Sequence, residues 1–357
     1  MKKIVIACDS YKGCLSSSEV SDAVAEGASE VYPDCEVVRL AVADGGEGTV
    51  EALVDTLGGH LEWAEVSDPL GRPVRAAYGV AGDLAIIESA AACGLTLLSK
   101  DERNPLIATT KGLGELILAA VDKGCRRFLI GLGGSATNDG GMGMIGAEGF
   151  LEKTRGLQFT IACDVDTPYI GKNGASRVFG PQKGASGQDV EVLEERLRGY
   201  ALKISEDTGI DVSDMPGAGA AGGLGGAFRA YLGAELKRGV DLVLDQIGFD
   251  SVIAGADLVI TGEGCSDYQT LKGKTAVGVL ERAERLNIPV ALVSGAVRDE
   301  KMLRDRGFRI VEAVTPPSMS LEEAMRPETA KHLVAVATRN ILHQFCIYYR
   351  VLHMRNH

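Results

Sequence analysis

KKIVIACDSYKGCLSSSEVSDAVAEGASEVY, residues 2–32, holds one complete switch from strand to helix. IVIAC is continuously apolar and partly β-branched, the pattern of a strand covered on both faces. Asp9 and Ser10 end it. Ser16, Ser17 or Ser18 then caps a helix whose Val20, Ala23, Val24, Ala28 and Val31 recur at helical spacing, and Pro33 stops it. EVVRLAVADGG (36–46) reads as a second strand, and GEGTVEALVDTLGG (46–59) as the start of a second helix. The order β-α-β-α predicts a parallel sheet.

Outward from there the pattern changes and then returns. HLEWAEVSDPLGRPVRAAYGVAGDLAIIESA (60–90) alternates short strand-like pieces with turn residues, which predicts an antiparallel patch. A helical GLGELILAAVDKG leads into the strand RRFLIGLGG, and FTIACDVD is a further strand in a glycine-rich stretch. Regular alternation resumes with DLVITGEG (257–264), the helical VGVLERAERLN, PVALVSGA (289–296) and RIVEAV (309–314). The organisation expected is one discontinuous parallel-sheet domain, residues 1–60 and 256–357, with a second α/β domain, 61–255, inserted in it. The working site is expected in the cleft between the two.

The totals narrow the function. The 357 residues carry 37 Lys and Arg against 49 Asp and Glu, a net charge of −12, which gives nucleic-acid binding little electrostatic support. Of eight Cys, none are spaced as C-x-x-C, so reduced thiols in a cytoplasmic protein are expected rather than a disulfide frame or a zinc site. The apolar run at the N-terminus is too short for a signal peptide. No segment reaches the ~18 uncharged apolar residues of a membrane span.

Five apolar strands end in small or acidic groups: IVIACDS, RLAVADGGEGT, FLIGLGGSATNDGG, FTIACDVD and LVITGEG. In open parallel sheets ligands bind beyond the carboxyl ends of the strands. A turn alone can explain any one of these ends, but it does not call for a carboxylate each time. Asp9, Asp44, Glu47, Asp139, Asp164, Asp166, Glu263 and Asp267 are hard oxygen donors with almost no His or Cys beside them, which favours Mg²⁺ over zinc. Glycine-rich loops add backbone N–H donors for phosphate. Together these are the parts of phosphoryl transfer.

PGAGAAGGLGGAF (216–228) contains G-x-G-x-x-G at Gly217, Gly219 and Gly222, with Gly223 next to it. No strand precedes it, so it is read as a helix start facing an anion; close packing through glycine is the bland alternative. LKGKT (271–275) has the G-K-T of a P-loop, but Tyr268 stands where the first glycine is required. Lys272 or Lys274 could still meet a phosphate or simply be solvated. Lys12, directly after the first strand, is the preferred basic residue, ahead of Arg103 and Lys183. The five His lie outside all these motifs, so no Ser-His-Asp or Cys-His site is supported and base catalysis falls to a carboxylate.

DSYKGCLSS, ADGGEGT, SDPLGRPV, RNPLIATTKGLGELI, GLGGSATNDGG, ACDVD with FGPQKGA, PGAGAAGGLG, and DLVITGEG with DYQTLKGK occur in this order from residue 1 to about 315. Taken together they resemble the bacterial glycerate kinase type I family. The resemblance implies ATP- and Mg²⁺-dependent phosphorylation of D-glycerate, usually at the 2-hydroxyl, and two α/β domains, one Rossmann- or flavodoxin-like. Four features depart from the family pattern. Cys8 stands where Pro is common, and Cys265-Ser266 where Arg-Ile is common. The segment between GAEGFLEKT and RGLQFTIACDVD is shorter, and NILHQFCIYYRVLHMRNH does not continue an Ala-rich terminal helix.

On this reading glycerate lies with its carboxylate on Lys12, Arg103 or backbone N–H groups. ATP phosphates lie on the 131–143 loop (Gly133, Gly134, Ser135, Asn138, Asp139) or the 217–226 loop. Asp9, Asp44 or Asp164 takes the hydroxyl proton. Ser10, Gly45, Gly46, Glu47 and Lys274 join the binding set, and Asp166, Glu263 and Asp267 hold Mg²⁺. The partners expected are D-glycerate and ATP, without nucleic acid or membrane, and with a homodimer admitted. The rival readings are a weakly active or inactive sugar-acid-binding relative and a Rossmann-type hydroxy-acid oxidoreductase.

Overall fold

The computed structural model describes residues 1–355. The side chains of Lys272 and of residues 348–357, His353 and His357 among them, lie outside the described residues. In chain order the strands are β1 (Lys3–Cys8), β2 (Glu36–Ala41), β3 (His60–Ser67), β4 (Pro73–Ala81), β5 (Leu84–Glu88), β6 (Arg127–Gly131), β7 (Gln158–Ala162), β8 (Glu235–Lys237), β9 (Leu258–Gly262), β10 (Cys265–Ser266), β11 (Val290–Ser294), β12 (Ala296–Val297) and β13 (Ile310–Ala313). The chain divides into two compact units, Met1–Asp44 with Val243–His357, and Gly45–Leu242.

The first unit holds a five-stranded sheet in the order β13-β11-β9-β1-β2, and its pairings are parallel. Counted within the unit this is the 2-1-3-4-5 order of doubly wound, flavodoxin-like sheets. The order reverses between β1 and β9, so the topological switch point lies beside β1. Cys8 is level with Ala41 on one side and with Gly262 on the other, which brings the residues after three strands to one edge. Ser17 pins that edge: its Oγ donates to Cys8 O at 2.5 Å and accepts Val42 N–H at 3.0 Å.

Of the three candidate caps, Ser16 is the one used. It closes a capping box with Glu19 at the start of helix Ser17–Val31. That helix buries Val20, Val24 and Ala28 against Ile4 and Ile6 of β1, and against Val334, Ile341 and Leu342 of the C-terminal helix Pro327–Arg355. The two helices approach closely at Gly27, where a Cβ would stand 2.4 Å from Ala335 O. Ile341, Leu342 and Phe345 are buried here, so the first part of the unusual tail is helical core.

The second unit is a six-stranded mixed sheet in the order β3-β4-β5-β6-β7-β8. β3, β4 and β5 pair antiparallel, as the 60–90 pattern predicts, and β5 through β8 pair parallel. Phe128 and Phe159 stack at 4.7 Å between β6 and β7. Helix Thr49–Leu57 packs on β4 and β5, where Gly79 lies against Val54 and Glu88 Oε1 accepts the Val50 N–H at 3.2 Å. The unit boundary therefore falls at 44/45 rather than after residue 60. A β-α-β-α pattern reads the same whichever sheet the second helix covers.

Candidate active site

A cavity of about 490 Å³ opens in the first unit at the carboxyl edge of its sheet. Asp9, Ser10, Lys12, Asp44, Glu263 and Lys274 supply its polar wall. Asp9 is 7% exposed. Its Oδ2 accepts Thr275 Oγ1–H at 2.6 Å, and its Oδ1 accepts the Ser10 N–H at 2.7 Å. Burial above all, and then the neighbouring Asp44, push its pKa up to about 6; Thr275, Ser10 and Lys12 oppose the rise without cancelling it. Glu263 Oε1 accepts Thr270 Oγ1–H at 2.6 Å and Ser266 Oγ–H at 3.1 Å. The Ser266 and Ser294 hydroxyls are bonded to each other at 2.7 Å, and Lys274 Nζ stands 3.5 Å from Glu263 Oε2. Ser266, at a departure from the family pattern, is thus built into the support of Glu263. Tyr11 also lines the cavity and donates its hydroxyl to Val293 O at 3.0 Å.

The other expected residues have different occupations. In the second unit the 131–143 loop runs from β6. Gly133 and Gly134 are exposed, whereas Ser135, Thr137, Asn138 and Asp139 are buried. Asp139 accepts the Thr110 N–H at 2.8 Å, Thr110 Oγ1–H at 2.9 Å, and the N–H groups of Gly141 at 3.1 Å and Gly143 at 3.2 Å. Its carboxylate ties the loop to helix Lys111–Asp122. Lys183, 2% exposed, donates to Ser135 Oγ at 2.9 Å and to Thr137 O at 2.6 Å. Burial pulls its pKa down to about 8, against the opposing pull of Cys93 and Asp139. Asn138 Nδ2 donates to Ser176 Oγ at 2.9 Å. Among the described residues the buried Asn138 Oδ1 and Arg103 Nε have no hydrogen-bond partner.

Of the 217–226 glycines, Gly222 and Gly223 pack on this loop, and Gly219 caps helix Ala220–Leu232. Ala221, Gly222 and Gly223 have left-handed backbone angles inside the stretch assigned to helix Ala220–Leu232. A Cβ on Gly222 would stand 2.1 Å from Thr137 O, and one on Gly223 2.6 Å from Gly140 Cα. The N–H groups of Gly219 and Gly223 donate to Thr167 O and Gly219 O. Gly217 sits against Leu236 and Cys163. Gly222 and Gly223 thus make the close backbone approaches of the packing alternative.

Gly45 makes a similar approach, its Cβ position 2.5 Å from Ala162 Cβ, and Gly46 O accepts Thr49 Oγ1–H at 2.7 Å. Glu47 is exposed. Asp164, also exposed, accepts the Gly239 N–H at 2.9 Å. Among the expected metal ligands, Asp166 is exposed and Asp267 Oδ1 accepts the Gln269 N–H at 2.7 Å in a turn. Among the described residues no group of three or more His, Cys, Asp and Glu side chains is arranged to hold a metal. Mg²⁺ needs less, since one or two carboxylates plus substrate phosphates commonly hold it. Asp44 and Glu263, on the cavity wall with Asp9, fit that requirement.

Thr275, Ser294 and Tyr11 carry no mark of their own in the sequence: Thr275 stands beside the two lysines of the LKGKT string, and Ser266 is marked only as a departure from the family pattern.

A sequence model of the glycerate kinase family matches residues 4–156 and 148–346. The chain is 44% identical over 353 residues to a glycerate kinase of Bacillus subtilis strain 168, covering 90% of this chain and 92% of that one. It is 42% identical over 370 residues to a glycerate 2-kinase of Escherichia coli K12, covering 95% and 97%. That alignment is longer than this chain, and the two family matches overlap at 148–156, both in keeping with a shortened segment before β7. A crystal structure of a protein described as glycerate kinase 2 from Salmonella typhimurium LT2 superposes with a TM-score of 0.86 at 41% identity, covering 98% of this chain and 99% of that one. With its doubly wound first unit, its buried carboxylate at the switch point and family matches along nearly its whole length, this chain belongs to the glycerate kinase family.

Proposed function

We propose that this protein transfers the γ-phosphoryl group of ATP to the 2-hydroxyl of D-glycerate, giving 2-phosphoglycerate and ADP. The observation that carries the reading is Asp9. It is a buried carboxylate with its pKa raised to about 6, beside Asp44, in a cavity that Lys12 and Lys274 also line. A base whose pKa lies near the working pH combines availability with driving force. Asp9 takes the hydroxyl proton as the new O–P bond forms and the bond from Pγ to the bridging oxygen breaks, leaving ADP. Lys12 and Lys274 offset charge on the phosphates. Thr275 and the Ser10 N–H hold the Asp9 carboxylate in place. Asp44 and Glu263 would hold Mg²⁺, which when bound neutralises phosphate charge and orients the transferring group. Support for the 2-hydroxyl comes from the E. coli relative, whose name is glycerate 2-kinase.

The proposal includes a cytoplasmic location, supported by eight free cysteines. Among the described residues no helix is long and apolar enough to cross a membrane. It also includes a homodimer, which light scattering tests. The catalytic test is one coupled assay with D-glycerate and Mg·ATP, detecting ADP and presenting the product to enolase. ADP formation with enolase acceptance is expected. Absence of ADP would leave a sugar-acid-binding relative, and ADP with a product that enolase refuses would move the transfer to the 3-hydroxyl.

A further inference from the structure

The cavity of the first unit has a wall of two kinds. Asp9, Lys12, Asp44, Glu263 and Lys274 are charged; Val314, Met319, Leu321, Ala324, Met325 and Ala330 are apolar. Met325 reaches the loop after β1, its Cε 3.6 Å from a Cβ position on Gly13. The cavity thus offers charged and apolar surface together. Its volume of about 490 Å³ lies within the range of pockets that take drug-sized ligands.

A three-carbon acid with one carboxylate and two hydroxyls cannot use this shape. It would fill a fraction of the volume, and seating it on the methionine wall would strip water from polar groups with nothing to replace it. A nucleoside triphosphate matches both kinds of surface. A purine has two apolar faces for Met319 and Met325, whose flexible thioethers pack well against aromatic rings. Its phosphates fall beside Lys12, Lys274 and the carboxylates that would share a divalent cation.

We infer that this cavity is the nucleotide site, with the purine on the Val314–Ala330 wall and the phosphates at the β1–β9 switch point, and that D-glycerate meets only the γ-phosphate end, at Asp9. The inference rests on ATP being the phosphoryl donor. It takes the nucleotide away from the 131–143 and 217–226 loops, where Asp139, Lys183, Gly222 and Gly223 are engaged with neighbouring segments.

Two variants test it on the full chain. Ala324→Trp fills space at the apolar wall. Leu321→Asp places a charge beside it at a side chain that is 70% exposed, where folding is insensitive to the change. The readout is equilibrium binding of trinitrophenyl-ATP by fluorescence, with displacement by ATP and by adenosine and without glycerate, and D-glycerate binding by calorimetry. Both variants are expected to weaken ATP and adenosine at least tenfold while glycerate affinity stays within twofold. Unchanged ATP affinity in folded Leu321→Asp, or a loss confined to glycerate, overturns the inference. An enzyme that phosphorylates glycerate but whose ATP affinity ignores both variants keeps the proposed function and loses this site. A protein that binds ATP here and transfers nothing keeps the site and loses the function.

Discussion

Thr275 Oγ1, on the first residue of a helix, donates to Asp9 Oδ2, just past the end of β1, at 2.6 Å. The two residues are far apart in the chain, and the bond favours the charged carboxylate at the centre of the proposed chemistry.

Thr275→Val removes that donor and keeps the side-chain shape. The Asp9 pKa, already raised to about 6, then rises further. The acid limb of the kcat/KM profile is expected to move to higher pH, and Thr275→Ser to restore it. A pH–rate series on the three proteins measures this. An unmoved limb removes Asp9 as the titrating base.

Asp9→Asn is expected to lower kcat by ~10²–10⁴. Its stability effect has a sign that depends on pH. The folded pKa of about 6 lies above the ordinary value of 3.8. The stability this carboxyl contributes is therefore present below that ordinary value and lost as pH rises through about 6. At pH 8 the ionised group opposes folding by roughly 3 kcal/mol. Without Mg²⁺ or nucleotide, the Asn variant should melt above wild type at pH 8, and the gap should close toward pH 4. Thermal melts at the two pH values check the closing.

Lys183 is the reverse case. Its folded pKa of about 8 lies below the ordinary 10.5, so the folded state binds fewer protons between those values and stability rises with pH across that window. Lys183→Met leaves Ser135 Oγ and Thr137 O without their donor, a loss of ~1–3 kcal/mol. It also removes the burial penalty that the charged lysine carries at pH 7. The wild type is expected to gain melting temperature over the variant between pH 7.5 and 10, and a constant gap would show that Lys183 does not titrate.

Asp139→Ala tests whether this carboxylate serves structure or metal. It strands the buried Thr110 N–H and the Gly141 and Gly143 N–H groups at once. Each unpaired buried donor costs ~1–3 kcal/mol. A drop in melting temperature is expected, with the Mg²⁺ dependence of ADP formation unchanged in whatever protein stays folded. A large change in that dependence would return Asp139 to the metal.

The role of the GLGGSATNDGG string shows where local pattern stops informing. Its glycines and polar groups are those of a ligand loop, and equally those of a loop that packs tightly and satisfies itself. The difference lies in partners distant in sequence: Lys183 for Ser135, Ser176 for Asn138, Gly222 for Thr137. Thr275 is the same case, since only folding brings it to Asp9.

Periodicity and strand-end chemistry, read along the chain, were enough to determine a parallel sheet, an antiparallel patch at 60–90, and acidic groups at strand ends, because these depend on neighbours a few residues apart. The motif strings were enough for the family. Tertiary structure decided that helix Thr49–Leu57 belongs to the second sheet, that Asp139, Gly222 and Gly223 meet packing partners distant in sequence, and that charged and apolar side chains line one cavity. Those outcomes depend on which surfaces meet and on which buried groups find partners, quantities that exist only once distant segments are brought together.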